Sequence, residues 1–256
     1  RWYPERRRAM HPVLFKIGSF EVRTYGVMLL VAFLACLPFA ARRANRWGLE
    51  GGKVADLSVF VVLAGVLGAR VVFIAQEWGA YYSHHLDQVF TLQFQGLTSF
   101  GGVLFGFIAT WFACRKYRWP LRSMLDVMSG PMLLGSAIGR IGCLLNGCCY
   151  GRQCEPKEWY AVHVEGLPGT YFPAQVLDTV MLLIGLGVLL LIERKPGPHC
   201  RSFGWMMVFY GGSRFIYEFW RIGSTSATIG GSNITEAQLV ALAMVLIGAA
   251  LLAFVR

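Results

Sequence analysis

The chain has 256 residues, 55% of them hydrophobic and only 15% charged, with a net charge of +10 and a mean hydropathy of +0.51. Soluble domains carry about 25% charged residues, so a water-soluble globular fold is excluded and lipid is the main solvent. Nucleic acid is not the expected partner of the basic excess either: Lys and Arg fall in short clusters between apolar runs, as they do in cytoplasmic loops.

Four basic residues, Arg1, Arg6, Arg7 and Arg8, precede Met10. Residues 1–9 are read as an upstream extension, with Met10 the expected start, and residues 10–256 as a single polytopic transmembrane domain. Seven apolar runs follow, at 25–41, 54–75, 97–114, 123–145, 173–192, 203–220 and 234–255. Each is long enough to cross a hydrocarbon core of ~30 Å. The first is not a cleaved signal peptide, because no small-residue cleavage site precedes the basic loop after it.

The connecting segments alternate in charge. Arg42, Arg43, Arg46 and Lys53 follow the first run; Arg115, Lys116, Arg118 and Arg122 follow the third; Arg194, Lys195 and Arg201 follow the fifth. Residues 76–96 contain no Lys or Arg, 146–172 only Arg152 and Lys157, and 221–233 only Arg221. The positive-inside rule then places the N-terminus outside and the C-terminus in the cytoplasm. The expected fold is an all-α integral membrane protein of seven transmembrane helices, with a small external cap from loops 76–96 and 146–172. Trp78, Tyr81, Tyr82, Phe90 and Phe94 suit an interfacial belt. No pair of broken helices suggests an inverted-repeat transporter.

Charges inside the apolar runs are the informative residues, because each costs at least ~2.5 kcal/mol at the bilayer centre unless partnered or hydrated. Among them are Arg70, Asp126, Arg140, Asp178, Arg214 and Glu218. Following each run in its expected direction puts Arg70, Arg140 and Arg214 in the outer half. Tyr25, the Thr98–Gly102 segment, Gln175, Asp178, Asn233 and Gln238 fall at the same level. A single arginine near a helix end can snorkel to the interface with no further role. Three at matched depth point instead to an anion, because the planar guanidinium forks onto phosphate and stays charged.

Two motifs carry most of the signal. Gly139-Arg140-Ile141-Gly142-Cys143-Leu144-Leu145-Asn146-Gly147-Cys148-Cys149-Tyr150-Gly151-Arg152 closes the fourth run. Small residues at 135, 136, 139 and 142 favour close helix packing beside Arg140. Gly147 and Gly151 are expected to end the helix and let backbone approach a ligand. Tyr210-Gly211-Gly212-Ser213-Arg214-Phe215-Ile216-Tyr217-Glu218 places Tyr210, Arg214 and Glu218 at i, i+4 and i+8, on one helix face. Glu218 either pairs with Arg214 structurally or orients it on a substrate.

These motifs resemble the prolipoprotein diacylglyceryl transferase family. Tyr25-Gly26, Gly68-Ala69-Arg70, Gly101-Gly102, Asp126 with Pro131, Pro173-Ala174-Gln175 and Gln238 agree in order, so the resemblance covers residues 11–256. It implies a bacterial inner-membrane enzyme with its active site facing the extracytoplasmic side. Such an enzyme transfers the diacylglyceryl group of phosphatidylglycerol to the lipobox cysteine thiol of a preprolipoprotein, forming a thioether and releasing glycerol phosphate. Arg140, Arg214, Tyr25 and Glu218 are then the expected catalytic residues. Arg140, Asn146, Gly151, Tyr210, Arg70, Gly101, Gly102 and Gln175 are expected to bind substrate. No metal and no cofactor are expected.

Three positions depart from the family pattern. Phe100 stands where familiar members have a histidine or tyrosine before the paired glycine, and a phenyl ring cannot take a proton. The base is therefore open among Tyr25, Tyr210 and Glu218. Cys143 and Cys148 replace Asn and Glu. Among seven cysteines no CxxC pair occurs, which argues against a zinc knuckle and a thiol oxidoreductase. A disulfide through Cys154 is one reading, since this side of the membrane permits oxidation. The competing functional readings are an inactive family relative and a membrane lipid or anion transporter.

Overall fold

A computed structural model of the chain describes residues 12–17, 20–79, 81–86, 98–164, 167–195, 197–221 and 234–254. Seven long helices fall on the seven apolar runs: α1 Thr24–Arg46, α2 Gly51–Gln76, α3 Ser99–Tyr117, α4 Leu121–Leu145, α5 Ala174–Ile192, α6 Arg201–Trp220 and α7 Glu236–Phe254. Five of them, α1, α2, α4, α5 and α7, are long and apolar enough to cross a membrane. Helix α3 ends on Arg115 and Lys116, and α6 carries Arg201, Arg214 and Glu218, which lowers the hydropathy of both.

The chain is not purely helical. Strands β1 (Val13–Ile17) and β2 (Phe20–Arg23) pair antiparallel, with Lys16 opposite Glu21. Between α4 and α5, strands β3 (Gln153–Cys154), β4 (Val162–His163) and β5 (Thr170–Tyr171) form an antiparallel sheet in the order β3-β5-β4. Strands of two residues leave no alternation to read, so the sequence showed only an irregular cap there. In the other expected cap segment, Tyr81 stacks on His85 and meets Tyr82 edge-on. Phe90 and Phe94 lie outside the described residues.

Two compact units are present. One comprises the chain up to Phe39 together with everything from Leu125 onward; the other is Ala40–Met124. The core of the first is Leu133 and Ala137 of α4, Leu182 and Leu189 of α5 and Met206 of α6, with Phe203, Trp205 and Tyr210 packed against it. Small residues let its helices close up. A Cβ at Gly211 would stand 2.7 Å from the Ala241 carbonyl oxygen of α7, and one at Gly142 would stand 2.9 Å from Met28 Cβ of α1.

Two polar residues that the sequence singled out, Asp126 as a charge inside the fourth run and Gln238 at the outer level, serve helix ends. Asp126, fully buried in α4, accepts the Cys200 and Phe203 backbone N–H groups at 2.6 and 2.9 Å and so caps the start of α6. Gln238 accepts the Thr235 N–H at 3.0 Å while Thr235 Oγ1 accepts the Gln238 N–H at 3.2 Å. This reciprocal pair is a capping box for α7.

In the second unit α2 packs on α3 through glycine. A Cβ at Gly101 would meet the Gly68 carbonyl and stand 2.8 Å from Ala69 Cα, and one at Gly102 would be 3.6 Å from the Gly65 carbonyl oxygen. The paired glycine is thus a helix-packing surface. Arg70, 8% exposed, lies over the Tyr82 ring at 5.5 Å. The Phe100 side chain and Asn233 lie outside the described residues.

Candidate active site

Among the described residues, the strongest concentration of helix-borne charge lies where α4, α5 and α6 meet within the first unit. Arg140 of α4 donates through Nε to Asp178 Oδ2 of α5 at 2.6 Å, with Asp178 almost wholly buried. Asp178 Oδ1 has no hydrogen-bond partner among the described residues, so the pair is single-point. The guanidinium is oriented without its fork being used up on the carboxylate.

Tyr217 of α6, fully buried, holds two cations at once. The Arg140 guanidinium lies 4.6 Å from its ring centroid and that of Arg214 lies 5.2 Å away. Each contact is worth about 2 kcal/mol when desolvated, and together they keep two like charges at fixed positions. Glu218, one residue on, pairs with Arg214 at 3.2 Å and with Arg221 at 3.8 Å. Arg214, Tyr217, Glu218 and Arg221 follow one another at i, i+3, i+4 and i+7, so one face of α6 and its end carries all four. Three guanidinium groups face two carboxylates, which leaves the cluster with excess positive charge.

The end of α4 supplies the loop beside this cluster. Gly147 takes a positive φ of 71° and the Cys148 N–H donates to the Cys143 carbonyl at 3.1 Å, so the helix stops in a left-handed cap. Cys149 then also adopts a positive φ, 65°, which a residue with a Cβ rarely does. Two fully buried side chains hold the loop: Gln175 Nε2 donates to the Cys148 carbonyl at 2.6 Å and the Tyr217 hydroxyl to the Cys149 carbonyl at 2.8 Å. The Sγ atoms of Cys143, Cys148 and Cys149 end up within 4.8 Å of one another.

The sequence-derived site residues divide accordingly. Arg140, Arg214, Glu218 and Gln175 join one cluster, and the structural pairing of Glu218 with Arg214 is present. Tyr25, 38% exposed, lies beside Gly142: a Cβ there would be 3.4 Å from its ring. The Asn146 N–H donates to the Gly142 carbonyl at 3.0 Å at the end of α4, and Tyr210 lies within electrostatic reach of Arg140 while packing on the apolar core. Gly139 opens onto free space beside Arg140, whereas Gly135 and Gly142 pack on α1. Gly151 departs from expectation. Its close approach is to the chain's own backbone, since it is buried, donates to the Phe172 carbonyl at 2.8 Å and bridges to Arg221. Gly101, Gly102 and Arg70 belong to the α2–α3 unit. Cys154 sits in β3 beside Thr170, and all seven cysteines are free thiols, so no disulfide passes through it.

Sequence reasoning missed Tyr217 and Arg221. Their spacing from Arg214 was the available signal, but aromatic and basic residues are ordinary at a membrane interface, and the i, i+4, i+8 row through Tyr210 drew attention first.

Fold and site together define a helical membrane protein whose charged residues converge on a cluster of partly buried arginines set against buried carboxylates. Over residues 12–254 the chain matches the family described as prolipoprotein diacylglyceryl transferase, and it belongs to that family of transferases. It is similar to the phosphatidylglycerol–prolipoprotein diacylglyceryl transferase of Clostridium tetani, 26% identical over 93% of this chain and 95% of the relative. A Dehalococcoides mccartyi protein of the same name is 30% identical over 90% of this chain and 88% of its own length. One from Streptococcus equi subsp. equi is 28% identical over 84% and 85%.

Proposed function

We propose that the chain transfers the diacylglyceryl group of phosphatidylglycerol to the lipobox cysteine thiol of a preprolipoprotein, as its relatives are named for doing. The observation that carries this reading is the pair of guanidinium groups fixed on the Tyr217 ring. Breaking the carbon–oxygen bond at the phosphate builds negative charge on the departing glycerol phosphate. Cations preplaced in a dry site stabilise that charge more than the ground state. Arg140 binds the phosphate through the part of its guanidinium that Asp178 does not engage, and Arg214 acts beside it. Asp178 and Glu218 are positioning residues that hold the two guanidinium groups. The partnerless Gln175 Oε1 and Asp178 Oδ1 are acceptors suited to the glycerol hydroxyls of the headgroup.

Attack by sulfur requires loss of the thiol proton, for which Tyr25 and Tyr210, both within electrostatic reach of Arg140, are the proposed acceptors. Asn146 supports the loop that faces them. Arg70, with Gly101 and Gly102 setting its helix, is the residue of the α2–α3 unit proposed to touch the lipid. All seven helices are proposed to span the bacterial inner membrane, N-terminus outside and C-terminus in the cytoplasm. The active site then faces the extracytoplasmic side, where the basic loops are absent.

The test incubates the purified chain with phosphatidylglycerol and a lipobox peptide and reads the diacylglyceryl mass gain on the peptide. A gain that requires the peptide cysteine is expected. No gain beside an active control enzyme overturns the proposal.

A further inference from the structure

The three-thiol cluster at the end of α4 has no part in the chemistry derived above. It is also not a by-product of one helical face. Cys143 is in the last turn of α4, while Cys148 and Cys149 follow the Gly147 turn and reach Cys143 only because the chain doubles back. The left-handed backbone at Cys149 is strained for a residue with a Cβ and persists because its carbonyl is held by Tyr217. Gln175 holds the preceding carbonyl in the same way. Buried second partners that fix a ligand loop are how metal sites keep their geometry.

We propose that Cys143, Cys148 and Cys149 form a three-thiolate site for a thiophilic divalent cation, zinc above all, whose open fourth position takes the thiol of the lipobox cysteine. The substrate half of this statement rests on the transferase reading; the metal half does not.

Geometry, charge and ligand count agree. Zinc–sulfur bonds of about 2.3 Å in a tetrahedron set sulfurs roughly 3.8 Å apart. The three Sγ atoms already lie within 4.8 Å of one another, so closure needs movements of about an ångström or less, within side-chain rotation. Three thiolates around a divalent ion leave net negative charge, and Arg221 and Arg140 lie within Coulombic reach of Cys149 to offset it. No fourth Cys, His, Asp or Glu joins the group among the described residues. Structural zinc sites close with four protein ligands; sites that act on a substrate keep three and an open position. The absence of CxxC spacing, which argued against a metal in the sequence, is answered by the Gly147 turn, which does the work of that spacing.

A metal in this place supplies what the chain lacks at Phe100. A coordinated thiol is deprotonated outright. The zinc-bound sulfur uses a lone pair to form the new bond to the glycerol carbon as the bond from that carbon to the phosphate oxygen breaks. The thiol proton is released to water when the sulfur coordinates, the electron pair of the broken bond leaves with glycerol phosphate, and no oxidant or reductant is needed.

The test uses the full chain purified in detergent under reducing conditions without chelator. About one zinc per chain by elemental analysis is expected. Exchange with Co²⁺ should produce the near-ultraviolet sulfur-to-cobalt charge-transfer band and the intense visible bands of a tetrahedral thiolate site. Cys143→Ser and Cys149→Ser should lose both signals with melting temperature and elution volume kept, while Cys154→Ser retains them. A chain that stays metal-free after incubation with Zn²⁺ overturns the proposal. So does a non-reduced mass lower by two hydrogens with two of the three cysteines linked. A lipobox peptide should shift the cobalt bands and its Cys→Ser counterpart should not; no shift with the thiol peptide overturns the open position. If the cobalt bands appear and shift but no diacylglyceryl is transferred, the transferase reading fails and the site stands.

Discussion

Arg140, partly buried, and Arg70, buried, stand at the same expected depth in two units that treat them differently. Around Arg140 lie a carboxylate at 2.6 Å, an aromatic ring shared with a second arginine, a pinned loop and free space at Gly139. Around Arg70 lie the Tyr82 ring and helices closed on each other through Gly65, Gly68, Gly101 and Gly102. Depth alone does not make a reaction centre. What separates the two is how the positive charge is held: Arg140 is oriented from one side and open on another, and it has a second cation fixed beside it.

The sharpest way to break this contrast is to keep charge and remove the fork. Arg140→Lys should lower kcat/KM about 10²-fold or more, since an ammonium cannot make paired bonds to a phosphate. Arg70→Lys should cost no more than about tenfold, a change near 1.4 kcal/mol. Both are read from the rate of peptide mass gain. Equal losses would erase the distinction between the two regions.

Tyr217 offers a finer cut, because ring and hydroxyl do different things. Tyr217→Phe keeps both cation contacts and loses the bond to the Cys149 carbonyl, so it should lower stability by about 1 kcal/mol and leave the KM for phosphatidylglycerol within about twofold. Tyr217→Leu removes the ring that fixes both arginines and should raise that KM as well. A Phe variant as impaired as the Leu variant would show that the loop, not the ring, sets the cations.

Asp126 and Gly101 test whether other residues of the same two units act through folding alone. Asp126→Asn weakens the cap on α6 and should cost about 1–3 kcal/mol in thermal melts, with the KM unmoved. Gly101→Val places carbon against the Gly68 carbonyl and should cost a similar 1–3 kcal/mol by overpacking α2 on α3.

These residues also show what the sequence could and could not reveal. Helix positions were legible because an apolar run of some 20 residues has few alternatives in lipid. Arg140, Arg214 and Glu218 were legible because a charge in such a run is costly and so informative. Asp126 and Gln238 carried the same signal, and only hydrogen bonds distinguish a helix cap from a site residue. The thiol cluster was only partly legible: Cys143, Cys148, Cys149 and Cys154 invite a metal reading by their closeness in sequence, but their spacing does not show which of them meet. Its convergence depends on two left-handed residues in a row of turns and on bonds from α5 and α6, and no local spacing encodes either. The β1–β2 hairpin was passed over because strands of five and four residues ahead of a long helix read as its lead-in.

That hairpin supplies the smallest expected effect and the cleanest control on the buried pair. Lys16 and Glu21 stand at 2.6 Å, the same distance as Arg140 and Asp178, but both side chains are exposed. The Lys16 hydrogen bond, and then its charge, hold the Glu21 carboxyl below its ordinary value. A carboxyl lowered in the folded state contributes stability that is present above its unfolded pKa and is lost as pH falls through the folded value. Any pH dependence from this pair therefore lies on the acid side of about 4.5 and vanishes at neutral pH. Lys16→Ala should return the Glu21 titration, followed by NMR, to the ordinary carboxylate value while the neutral melting temperature and the transfer rate stay where they were, because water screens an exposed pair. Separation is equal in the two pairs, so a large loss in Asp178→Asn beside none in Lys16→Ala would assign the difference to burial and to the second cation on Tyr217.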